Sequence, residues 1–172
     1  MERLMKEYGL NPKLTRQVLD SEYTELFEAA AQETHVSPTT IAVALTETLK
    51  ALKREGVEID KISDDQIKGL FYLIDSGEAA KEAIPDILTW LAKHEKAAAK
   101  EAIEDLGLAM ISGKELEAII EDLIKENARL IKERGKGAFS PLMGVLMKKV
   151  RGRVKAEEVG KILREKLEKS LH

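Results

Sequence analysis

The 172-residue sequence contains no cysteine. That excludes a disulfide framework, Cys-ligated zinc, iron–sulfur clusters and a thiol nucleophile. Aromatic side chains make up only 4%, so a core has to be assembled from Leu, Ile, Val, Ala and Met. No apolar run approaches the roughly 18 residues of a membrane span, and Met1 to Lys6 hold no apolar signal region. These absences predict a cytoplasmic protein with no membrane partner. The three histidines stand far apart, at 35, 94 and 172, without metal-ligand spacing. No Walker loop, Rossmann glycine pattern or Gly-x-Ser-x-Gly elbow occurs. Carboxylate pairs such as Glu101 with Asp105 and Glu117 with Glu121 fall on polar helix faces, with no shielded pocket to shift their pKa values. The sequence therefore predicts no catalytic residue, no cofactor-binding residue and no metal ligand.

What is present is charge, unevenly distributed. Charged residues reach 34%, against about 25% in typical domains, and the net charge is only −3. Residues 1–128 hold 15 basic and 26 acidic side chains, a net of −11. Residues 129–172 hold 13 basic and 5 acidic, a net of +8. The basic charge is densest from Arg129 to Lys155, where nine cations face a single acid, Glu133. Such asymmetry points to a surface for an anionic partner.

Almost every segment has helical periodicity. Asn11 and Ser37, each preceding a proline, fit N-caps with Pro at N1. Ile41, Leu45, Leu49 and Leu52 follow helical spacing until Gly56 offers a C-terminal stop. Ser63 with Gln66 forms a capping-box pattern ahead of Ile67, Leu70, Phe71 and Ile74, and Gly77 follows. Pro85 opens a further helix, and residues 97–106 are predicted to continue helically to Gly107. Ser112 with Glu115 makes another capping-box pattern. Leu116, Ile119, Ile120, Leu123 and Ile124 describe one apolar face behind it. Gly135 and Gly137 break the pattern, a short helix covers about Leu142 to Val150, and Val159, Ile162, Leu163 and Leu167 mark the last helix. The expected fold is all-α, a helical domain over 1–108 followed by a small helical tail domain over 109–172.

Chemistry concentrates in the basic segment. Arg129, Lys132 and Lys136 recur at three- and four-residue intervals, placing them on one side of a helix and its exit. Lys148, Lys149, Arg151, Arg153 and Lys155 crowd around Gly152, where a tight turn lined with long cations makes a cradle for phosphate oxygens. Glu157 and Glu158 fall in the first turn of the last helix, where they answer its dipole and repel phosphate. Charge alone leaves three readings open: a solvated face, a nucleic-acid surface, or a surface that meets an acidic protein. Among nucleic acids the pattern favours folded RNA. Single-strand binders interleave aromatic platforms with cations, whereas this segment has only Phe139, which with Leu142 and Met143 is more simply a core residue.

GKGAFSPLMGVLMKKVRGRVKAEEVGKILREKL resembles the tail-domain signature of the amidotransferase B/E and YqeY families. It has Gly144 before a Met147-Lys148 pair, the Arg151-Gly152-Arg153 turn, and an amphipathic last helix from Val159 to Leu167. Upstream, YGLNPKLTRQVLDSEYTELFEAA and VSPTTIAVALTETLKALKREGVEID resemble the start of the helical domain in the E-type subunit of archaeal glutamyl-tRNA(Gln) amidotransferase. Gly113, after the Ile-Ser of AMISGKEL, stands where relatives often carry an acid. The resemblance implies a C-terminal region that holds and discriminates tRNA(Gln) while a separate catalytic domain performs the transamidation. On that reading ATP and Mg belong only to the catalytic domain, and the asparaginase-like D-type subunit of the amidotransferase is the partner that supplies ammonia. Two alternatives stand beside it, a free-standing YqeY-like protein and a protein–protein module without direct RNA contact.

Overall fold

The computed structural model describes residues 1–172 as helices joined by turns, with no strand. The chain divides into two compact units, Met1–Ala109 and Met110–His172. No helix is long and apolar enough to cross a membrane.

The first unit contains α1 (Glu2–Tyr8), α2 (Pro12–Asp20), α3 (Thr24–Glu33), α4 (Pro38–Val43), α5 (Leu49–Arg54), α6 (Asp64–Asp75), α7 (Ile84–Lys93) and α8 (Ala99–Leu106). A π-helical turn, Ala44–Thr48, makes α4 and α5 one continuous helix. The sequence spaces Ile41, Leu45 and Leu49 four apart, which overshoots the 3.6 residues of an α-turn. The extra residue taken up by a π-turn absorbs that drift, and Ile41, Leu45, Leu49 and Leu52 are all buried. The core gathers around Phe27, Phe71, Leu70, Ile87 and Leu91, with Tyr8 set edge-on against Phe27.

Caps explain where these helices start and stop. Asn11 accepts from the Leu14 amide at 2.7 Å. Ser63 accepts from the Gln66 amide while Gln66 Oε1 accepts from the Ser63 amide, a complete capping box. The Ser37 hydroxyl, expected to cap α4, makes no such bond; Pro38 alone sets the helix entry. The stretch expected to be helical from residue 97 differs more. His94 leaves the helical region, Lys96 takes a positive φ of 66°, and α8 begins only at Ala99. The cause is Gln66, whose buried amide donates to both the His94 and Ala97 carbonyls and holds the loop between α7 and α8.

The second unit contains α9 (Gly113–Glu126), α10 (Ala128–Arg134), a 3-10 turn (Gly135–Ala138), α11 (Phe139–Val150) and α12 (Ala156–Leu171). Leu116, Ile120 and Leu123 of α9, Leu142 and Leu146 of α11, and Val159 and Leu163 of α12 form its core. Only half of the expected capping box at Ser112 exists: its hydroxyl accepts from the Glu115 amide, and no return bond is made. A break the apolar pattern does not signal falls at Asn127, whose side-chain amide donates to the Leu123 carbonyl and ends α9 there. Lys166 of α12 reaches Glu121 of α9 at 2.7 Å, and this pairing lowers the carboxyl pKa of Glu121 and raises that of Lys166.

Candidate functional site

The unit boundary changes the meaning of the charge split. Residues 110–172 carry 15 basic and 10 acidic side chains, net +5, because α9 contributes Glu115, Glu117, Glu121, Asp122 and Glu126 to the same unit as the cations. The polarity therefore lies inside the second unit, between α9 and the segments that follow it.

Gly135 and Gly152 set the backbone of the basic segment. Gly135 adopts φ 56° and ψ −127°, a region essentially closed to side chains, and stops α10. Gly152, buried at φ 80°, turns the chain between α11 and α12. The amide of Ile111 donates to the Arg153 carbonyl at 2.9 Å, tying this turn to the segment that precedes α9.

The eight candidate residues fall into two groups. Arg129 and Lys132 lie on α10, and Lys136 lies in the 3-10 turn that leads into α11. Lys148 and Lys149 close α11, while Arg151, Arg153 and Lys155 line the turn after it. The first nine residues of α11, Phe139–Met147, separate the groups by about 14 Å at about 1.5 Å per residue. Lys136 follows the kink at Gly135, so it does not continue the face of α10. Lys132, Lys136, Lys148, Lys149, Arg151 and Lys155 are exposed and make no ion pair. Arg153 is half-buried between Gly152 and Val154, so the turn presents four exposed cations rather than five. Arg129 is exposed and bridges Glu133 at 3.3 Å. Glu157 and Glu158 occupy the first turn of α12.

Two further cations join the first group. Arg134 ends α10, and Arg164 of α12 lies with its guanidinium 5.1 Å from the centre of the Phe139 ring. Arg164 falls outside the dense run in sequence; the antiparallel hairpin of α11 and α12 brings it there. That pairing is visible in the approach of Met143 to Gly160. Phe139 and Met143 are half-buried against the core, while Leu142 is wholly buried. A cavity of about 710 Å³ in the first unit, beside the Gly56 turn and α7, is lined by Glu55, Glu58, Lys61, Lys93 and Glu95, with Thr89 between them.

Arranged this way, the second unit presents cations at two separate places along its surface, a layout suited to an extended polyanion. A family model described as a GatB domain matches residues 25–167. The chain is 40% identical to the E-type subunit of the glutamyl-tRNA(Gln) amidotransferase of Methanosarcina acetivorans, over 99% of this chain and 27% of that protein. Its counterpart in Methanocaldococcus jannaschii is likewise 40% identical, over 96% of this chain and 26% of that protein. For the counterpart in Thermococcus gammatolerans the identity is 37%, over 98% and 26%. The chain thus spans about a quarter of the length of the curated relatives it matches.

Proposed function

Because the chain belongs to the GatB domain family, we propose that it is the C-terminal, tRNA-holding region of a cytoplasmic glutamyl-tRNA(Gln) amidotransferase. Its task is to position tRNA(Gln), and to help discriminate it, while a catalytic domain outside these residues binds ATP and Mg and carries out transamidation. An asparaginase-like partner of the D type supplies ammonia to that domain. The observation that carries this reading is the set of six exposed cations without ion-pair partners at the two ends of α11. Cations clustered with few acids among them and held at fixed spacing suit phosphates.

Titration of a tRNA(Gln) transcript against the chain over a range of salt tests the proposal. With about four phosphates neutralised, log affinity falls against log salt with a slope of roughly −3 to −4. Absence of binding at low salt, or a stable complex with partner proteins of the amidotransferase that excludes RNA, defeats it. Glu133 supplies a smaller check. It competes with phosphate for Arg129, so Glu133→Gln is expected to tighten binding about threefold at low salt and to leave it unchanged at high salt. Filter binding at the two salt concentrations measures both.

A further inference from the structure

Phe139, at the first position of α11, is the only aromatic side chain among residues 110–172. It is half-buried against the core, and Arg164 rests over its ring while remaining exposed. Arg164 has no ion-pair partner, although Glu165 and Glu168 are its neighbours on α12. The 3-10 turn that carries Lys136 and leads into Phe139 packs beside α12, and Arg134 immediately precedes that turn. A guanidinium is planar and weakly hydrated, and its face stacks on flat groups. Bases splayed out of folded RNA stack on such planes as readily as on aromatic rings.

We infer that Arg164, seated on Phe139, is a stacking shelf for one unpaired base of a folded RNA. The inference rests on the RNA-holding reading above and adds a contact of a different kind to it. Phosphate contacts at Lys136 and Arg134 bring the backbone to the edge of the shelf. Phe139 keeps the long Arg164 side chain from wandering over the surface, so less freedom is lost when the base arrives. Arginine is required for this and lysine is not equivalent, since lysine keeps the charge and loses the plane.

The test compares the intact chain with its Arg164→Lys variant on two RNAs: a tRNA(Gln) transcript and a blunt, fully paired RNA duplex of equal length. Arg164→Lys is expected to weaken tRNA binding about tenfold, the loss of one stacked base, with the salt slope unchanged. Duplex binding stays within about twofold, because no unpaired base is there to stack. Phe139→Leu, which keeps apolar bulk, is expected to reproduce the tRNA-specific loss with helicity intact. Equal losses on both RNAs, or no loss on tRNA, overturn the shelf. If the unaltered chain binds neither RNA, the RNA-holding reading itself fails, which is a distinct result.

Discussion

Replacing Lys148, Lys149, Arg151 and Lys155 together by alanine is expected to weaken tRNA binding about fiftyfold at 0.1 M salt, with little loss of helicity. Each neutralised phosphate adds close to 0.9 to the salt slope, so releasing two phosphates at this end accounts for nearly two decades of affinity relative to 1 M salt. The slope itself is expected to become shallower by about 2. All four side chains are exposed and unpaired, so their removal leaves no buried group unsatisfied, and circular dichroism should stay unchanged. Arg153 is kept, because it is half-buried and lies beside the core residue Val154. A variant that binds as tightly as the unaltered chain removes this turn from the interface.

The second large effect lies in the first unit. Gln66→Leu is expected to destabilise it by about 3 kcal/mol, from three missing hydrogen bonds that leave the Ser63 amide and the Ala97 carbonyl without partners, while the His94 carbonyl keeps the Ala97 amide. Those bonds run from the Ser63 amide and to the His94 and Ala97 carbonyls. Ser63→Ala removes a single cap bond and is expected to cost about 1 kcal/mol. Urea unfolding followed by fluorescence of Trp90, the one tryptophan, measures both. Trp90 stacks on His94, the residue the Gln66 amide holds, so the probe sits at the perturbed loop. A cost for Gln66→Leu no greater than that of Ser63→Ala shows that the loop is held by something else.

Helical character was legible because the apolar spacing repeats and caps punctuate it. Ile41 to Leu52 and Leu116 to Leu123 bury most of the apolar positions their periodicity marks, Ile41, Leu45, Leu49, Leu52, Leu116, Ile120 and Leu123, while Ile119 and Ile124 are half-buried against the same core. What periodicity could not show is competition from side chains distant in sequence or outside the apolar pattern. Gln66 fits a capping box locally, yet its other amide bonds fall 28 and 31 residues away and force the break before Ala99. Asn127 ends α9 through a bond to the Leu123 carbonyl that no hydrophobic pattern contains. At the candidate site the cations were legible as a charge run. Their division around a short helix was legible as well; the interval between the two groups was not, since it depends on α11 beginning at Phe139 rather than near Leu142. Arg164 was hidden for a related reason, because only the folding-back of α12 carries it to Phe139.

Under the proposed RNA-holding role, the length of α11 has a consequence for which anions the second unit would retain. A nucleotide or a short oligonucleotide reaches one end of the helix and gains nothing from the other. A long flexible strand reaches both, but has to surrender conformational freedom to bridge them. A rigid folded RNA whose phosphates already match the interval meets the second group at high effective concentration once the first is engaged. Selection of this kind needs no base to be read: stiffness on both sides does the sorting, and one inserted residue within α11 is enough to turn its two ends out of phase by about 100°.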